Sequence, residues 1–177
     1  ALIAVARGKD AVDMEWLEEA RDKVRWGRQR KSRVMEEEEK RITAYHEAGH
    51  AMAAFYLPNV DKLHKVTIIP RGPAAGGTML LPKKDILFVS RKRGLDNVTL
   101  MLAGRAAEEV FFDDMTSGAA SDIQRATELV RMMVCEWGMS ERLGPVRYGG
   151  FEQQPLLGTR VFGRSDVSDE TARLIDE

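Results

Sequence analysis

The sequence predicts a mainly α domain with a small β hairpin, and three observations predict it. Long stretches rich in good helix formers carry apolar residues at three- and four-residue spacing. Short β-type runs are confined to one region, between His64 and Pro82. A length of 177 residues, with 44% hydrophobic against 31% charged, supplies a core for one packed domain and excludes wholesale disorder. The formal net charge is −1, so the overall field points to neither a nucleic-acid nor a membrane partner. One cysteine, Cys135, excludes an internal disulfide and a Cys-only structural zinc site. The longest apolar stretch, Ala51 to Leu57, falls far short of the roughly 18–20 residues that cross a bilayer. Residues 1 to 7 lack the pattern of a secretory signal, and Ser168 to Glu177 reads as a helix that stops mid-pattern. Both ends read as cut from a longer chain.

Along the chain, Val12, Trp16, Ala20 and Val24 mark a short amphipathic helix within residues 9–27. Arg25 to Arg33 then holds basic residues without an acid, and four glutamates at 36–39 reverse the sign, which reads as a linker. Glu36 with Lys40 and Glu37 with Arg41 have the acid-first order that supports a helix start. An alanine-rich helix follows from about Glu38 to Leu57, stopped by Pro58. Gly49 lies inside it, where glycine costs about 1 kcal/mol relative to alanine, so a neighbouring backbone is expected to approach there.

Lys65 to Ile69 and Gly77 to Leu81 form a candidate hairpin around the loop Pro70 to Gly76. A second long helix is expected from Ser90 to Phe112 with Leu95, Val98, Leu102 and Ala106 as its apolar stripe. A third is expected from Asp122 to Gly138 with Ile123, Ala126, Val130 and Val134. Cys135, late in that helix, reads as a small buried hydrophobe. Beyond Gly144 the composition reads as loop until the last helical start.

The chemistry sits in His46-Glu47-Ala48-Gly49-His50. Residues four apart on a helix differ by about 40° in direction, so both imidazoles leave one face and can share a metal ion. Glu47 lies on the flank of that pair, where it can take a proton from a water acidified by zinc and return it to a leaving amine. Random sequences of this composition would contain the pattern about three times in a thousand. Catalytic zinc usually takes three protein ligands, and no His-x-x-Gly-x-x-His continuation follows His50. The remaining candidates are His64, Glu108, Glu109 and Asp122. Asp122 reads first as a helix-start acid, but Ser121 and Gln124 fit a capping box, which leaves the Asp122 carboxylate free to point at a metal.

Together with that pentapeptide, Leu102-Ala-Gly-Arg-Ala-Ala-Glu-Glu109, Thr116-Ser-Gly-Ala-Ala-Ser-Asp122-Ile and Glu136-Trp-Gly-Met139 resemble the peptidase domain of the FtsH family of ATP-dependent, membrane-anchored zinc proteases, the M41 type. The resemblance runs from about Lys40 to Tyr148. It implies a helical zinc peptidase domain with the small β hairpin beside its active site, over residues 41–177 and cut short at its C-terminus. It implies the tail of an ATPase module over 1–27 and a linker over 28–40. Zinc is then bound by His46, His50 and Asp122, with Glu47 as general base and Glu108 as a supporting carboxylate behind the ligands. Gly76, Gly77, Thr78, Met79 and Leu80 belong to a strand to which an unfolded substrate chain adds through its main chain.

The resemblance further implies an endopeptidase of unfolded polypeptides, working as a homo-hexamer anchored in a bacterial or organellar inner membrane, with the peptidase on the cytoplasmic side in bacteria. ATP belongs to the longer protein only, because no Gly-x-x-x-x-Gly-Lys-[Ser/Thr] occurs in this chain. Two other readings stand beside it: an idle assembly module, or a nucleic-acid or anionic-surface binder through Arg25 to Arg33. The flanking glutamates oppose the second, so no nucleic-acid partner is expected, nor any membrane contact from this segment itself.

Overall fold

The computed structural model describes residues 1–29, 35–71, 75–82, 86–148 and 167–177. The elements run α1 (Leu2–Ala6), α2 (Met14–Trp26), α3 (Glu37–Tyr56), β1 (Lys62–Thr67), β2 (Gly77–Leu81), α4 (Arg91–Phe112), α5 (Ala120–Arg131) and α6 (Asp169–Asp176). A 3₁₀ turn at Ser117–Ala119 leads into α5, and a π-helical turn at Met132–Glu136 leads out of it. The mainly α architecture with one small sheet is as expected. Among the described residues no helix is long and apolar enough to cross a membrane. Parts of the expected linker (30–34), of the hairpin loop (72–74) and of the C-terminal loop (149–166) lie outside the described residues.

Local chemistry sets the helix starts. Asp13 accepts the Trp16 amide at the head of α2, and Ser90 accepts the Arg93 amide at the head of α4. At α3, Glu39 reaches back to the Glu36 amide, and Lys40 pairs with Glu37 rather than with Glu36. α4 ends on Asp113 at φ 53°, the one non-glycine residue with positive φ among those described.

The centre of the molecule is the antiparallel pair α3 and α4. His50 meets Leu100, Tyr45 meets Phe111, and beyond the end of α3 Asn59 meets Asp96. The helices close up because glycine and alanine face each other: a Cβ at Gly49 would lie 2.4 Å from the Ala103 carbonyl oxygen. That is the backbone approach expected from a glycine in mid-helix. Consequently the apolar stripe expected on α4 is not its buried face, and of the stripe expected on α5 Ala126 is buried. Leu95 and Leu102 on α4 are exposed, as are Ile123 and Val130 on α5, while α4 buries Gly94, Leu100, Gly104 and Glu108. A close helix crossing selects small residues, and a polar site selects a carboxylate, so hydrophobicity alone picks the wrong face. On α2, Trp16 is buried but Val24 is exposed for the same kind of reason, since the helix turns Asp22 inward.

β1 and β2 pair antiparallel, with Val66 opposite Thr78 and Thr67 opposite Gly77. A register shift between Leu63 and Lys65 leaves His64 out of the ladder. β1 starts three residues before the expected run and stops two before its expected end. The sheet lies against α3 on one side and α2 on the other. Asp22, 2% exposed, accepts the Lys65 ammonium at 2.6 Å with the Arg71 guanidinium at 3.6 Å, and the Trp26 ring lies over Gly77. Cys135 is buried, and burial pushes its thiol up and away from reactivity.

Candidate metal centre

α3 brings His46 and His50 onto the α4 face lined by Leu100, Gly104 and Glu108, each histidine 8% exposed. His46 Nδ1–H donates to Glu108 Oε1 at 2.6 Å, and His50 Nδ1–H donates to the Leu100 carbonyl at 2.8 Å. Both acceptors are oxygens without a hydrogen, so Nδ1 carries the proton in each ring and both Nε2 lone pairs turn the other way. They converge with their separation at 3.1 Å.

α5 delivers the third donor. Asp122 Oδ2 stands 3.4 Å from His46 Nε2 and 3.6 Å from His50 Nε2. The capping box expected from Ser121 and Gln124 is absent: α5 starts at Ala120 after the 3₁₀ turn, Ser121 is exposed, and Gln124 bonds Glu128. Asp122 is a first-turn acid after all, and the preceding turn, capped by Thr116, aims it at the imidazoles. Glu108 ties the two parts together, since its Oε2 accepts the Thr116 amide at 2.8 Å while its Oε1 holds His46. Glu108 is 1% exposed, whereas Glu109 faces solvent. Of these two, left open on spacing, Glu108 is the buried one that meets His46. His64 is not brought to this place; it faces α2, where Arg21 donates to it at 2.8 Å.

Two lone pairs and a carboxylate oxygen facing one another require a positive charge between them, either a proton or a metal ion. Zinc with donors at about 2.0–2.1 Å in a tetrahedron spaces them about 3.3–3.4 Å apart. The three observed separations, 3.1, 3.4 and 3.6 Å, bracket that value. The group His46, His50 and Asp122 therefore fits a zinc ion, with its donor atoms all within 4.8 Å of one another. Without a metal the proton takes the place of the cation. Burial lowers the His46 pKa, but hydrogen bonds to Asp122 and Glu108 outweigh it and the net shift is upward. Burial likewise pushes Asp122 up, and the two imidazoles pull it well below the usual carboxylate range.

Glu47 is buried beside this group. Burial raises its pKa, and the Thr78 hydroxyl, donating to Glu47 Oε2 at 2.7 Å, partly offsets the rise. The strand residues expected at a substrate divide by face. Gly76 and Thr78 face Glu47, Gly77 lies under Trp26, Met79 is 1% exposed, and Leu80 is half-buried. Gly104 has a role that sequence reasoning missed: a Cβ there would stand 2.6 Å from the Nε2 atoms of both His46 and His50. Its signal was available, because it is a mid-helix glycine among alanines, as Gly49 is.

The comparisons agree with this geometry. The model of the family described as Peptidase family M41 matches residues 33–177. The chain is 54% identical over 176 residues, 99% of its length and 28% of the relative's, to the ATP-dependent zinc metalloprotease FtsH 2 of Methylacidiphilum infernorum. It is 51% identical over 178 residues, 100% of its length and 29% of the relative's, to the ATP-dependent zinc metalloprotease FtsH of Thermotoga maritima. With the FtsH protease of Myxococcus xanthus the identity is 49% over 99% of this chain and 28% of the relative. The chain thus spans under a third of the length of the curated relatives it matches. Since the family match covers most of the chain and includes every donor of the metal-binding group, the chain belongs to peptidase family M41.

Proposed function

We propose that this chain is a zinc endopeptidase acting on unfolded or flexible polypeptides. The observation that carries the proposal is the convergence of His46 Nε2, His50 Nε2 and Asp122 Oδ2, with both Nδ1 hydrogens tied off behind them. Bound zinc supplies a Lewis acid that polarises a peptide carbonyl and acidifies water. The residues of the chain do the rest. His46, His50 and Asp122 hold the ion, and Glu108 fixes the His46 ring and neutralises part of the charge. Glu47 accepts a proton from the attacking water on its carboxylate and delivers it to the leaving amine nitrogen as the C–N bond breaks. Its raised pKa suits these duties, because burial makes the carboxylate a stronger base than an exposed one.

An unfolded substrate pairs with β2 through main-chain hydrogen bonds, which accepts many sequences. In the longer protein this chain is the proteolytic part, with residues 1–27 closing an ATPase module and residues 28–40 linking it to the peptidase. The FtsH relatives are named as ATP-dependent, which supports a supply of unfolded chain from such a module. A hexameric ring anchored in an inner membrane, with the peptidase on its cytoplasmic side, completes the reading. Glu47→Gln tests the chemistry: the variant keeps zinc and fold and loses nearly all cleavage of a casein substrate. Normal cleavage by that variant overturns the assignment of the base.

A further inference from the structure

We propose that Thr78 is a positioning residue for Glu47, a role that rests on the reading of Glu47 as general base and adds to it. The Thr78 hydroxyl has one hydrogen, and it lies 2.7 Å from Glu47 Oε2 and 3.1 Å from the Glu47 main-chain oxygen. Donation to the carboxylate occupies Oε2 and leaves Oε1, which has no hydrogen-bond partner among the described residues, as the oxygen that takes the proton. A buried glutamate has three side-chain torsions, and a bare carboxylate among them would sample several directions. The hydroxyl selects one, and a misplacement near 1 Å is enough to slow a proton transfer by roughly 100-fold.

The strand is shaped around the same side chain one step earlier. A Cβ at Gly76 would lie 3.0 Å from Glu47 Cγ, 2.8 Å from Thr43 Cγ2 and 2.8 Å from the Thr67 carbonyl oxygen. Residues two apart on a strand share a face. Gly76 therefore makes room for the methylene of Glu47 while Thr78 grips its carboxylate. Val66, opposite Thr78 in the ladder, and Trp26, over Gly77, hold the strand from its other sides. The hydroxyl of Thr78 is thus committed to the base and not to a substrate side chain. Substrate that pairs with β2 would bind to the strand that aims the base, so docking and base alignment occur on one element.

The test compares Thr78→Val, which keeps the shape and removes the donor, with Thr78→Ser, which keeps the donor and removes the methyl group. Each is loaded with zinc and assayed on a fluorogenic peptide, with bound zinc and melting temperature measured alongside. Thr78→Val lowers kcat by roughly 10- to 100-fold with KM within about twofold and zinc content unchanged, and Thr78→Ser stays within about threefold of the parent. The ¹³C carboxyl resonance of Glu47, identified by its loss in Glu47→Gln, moves in Thr78→Val and not in Thr78→Ser. Adding Thr78→Val to Glu47→Gln produces no further loss of kcat, because the group being positioned is gone.

A Thr78→Val enzyme with the parental kcat overturns the inference, as does one whose KM rises while kcat holds, which would make Thr78 a substrate contact. If the valine variant does not fold, Thr78→Ala against Thr78→Ser decides on the same criteria. An inactive Glu47→Gln beside a fully active Thr78→Val leaves the base in place and removes only the positioning role. An active Glu47→Gln removes both.

Discussion

Replacing Gly104 by alanine puts a methyl group where the zinc donors converge. The added carbon would stand 2.6 Å from His46 Nε2, His46 Cε1 and His50 Nε2, and ordinary contact begins at 3.4 Å. The rings or the helix must give way by 3.4 − 2.6 = 0.8 Å. Zinc sites hold their ligand distances to within about 0.2 Å, so a retreat four times larger takes at least one imidazole out of range. Changing a residue behind the ligands typically costs 10–100-fold in metal affinity, and displacing a ligand itself costs at least the upper figure, about 2.7 kcal/mol. Gly104→Ala, titrated with zinc against a chromophoric chelator, should bind at least about 100-fold more weakly than the parent while its far-ultraviolet circular dichroism keeps the helical signal. Leu102→Ala, on the exposed side of the same helix, should leave zinc affinity unchanged. Parental zinc affinity in folded Gly104→Ala would refute the geometry from which this figure was worked.

Three further outcomes follow from other parts of the molecule. Glu108→Gln can satisfy either the His46 Nδ1–H or the Thr116 amide but not both, because its amide nitrogen is a donor, so zinc affinity should fall about 10–100-fold in the same titration. In the metal-free chain the raised pKa values of Glu47 and His46 mean that the folded state holds protons the unfolded state releases. The stability they contribute is complete below 4.5 and 6.5 respectively and is lost as pH rises through the raised values. The melting temperature of the chelator-treated chain should therefore fall from about pH 6 to about pH 8, while zinc affinity rises over the same range as the competing proton leaves; the opposite slopes would contradict both assignments. Lys65→Met removes the closest partner of buried Asp22 and should cost about 1.5–3 kcal/mol in urea unfolding, with an unchanged midpoint as the contrary result.

The sequence disclosed the centre better than it disclosed the packing around it. His46 and His50 were legible because helix geometry puts them on one face, Glu47 because it falls on their flank, and Asp122 was legible as a candidate although the capping box invoked for it is absent. A helix start read from Ser121 and Gln124 missed the 3₁₀ turn, which moves the first turn two residues earlier and aims Asp122 by a cap at Thr116. The buried face of α4 was illegible to hydrophobic periodicity because α3 approaches closely at Ala103 and Gly104 and the site takes a carboxylate, leaving Leu95 and Leu102 outside and Gly104 and Glu108 inside beside Leu100. Glycine position was the better guide, as it was for Gly49. The link from Thr78 to Glu47 spans 31 residues and two kinds of secondary structure, and no local pattern encodes such a pair.

The most direct measurement is zinc-edge X-ray absorption on the loaded chain and on its Asp122→Asn variant. Two nitrogen donors and one carboxylate oxygen at about 2.0–2.2 Å, with the carboxylate contribution and tight binding both lost in Asp122→Asn, are what the convergence of these side chains predicts. A sulfur shell near 2.3 Å, or a spectrum and affinity that ignore the loss of the Asp122 carboxylate, would contradict it.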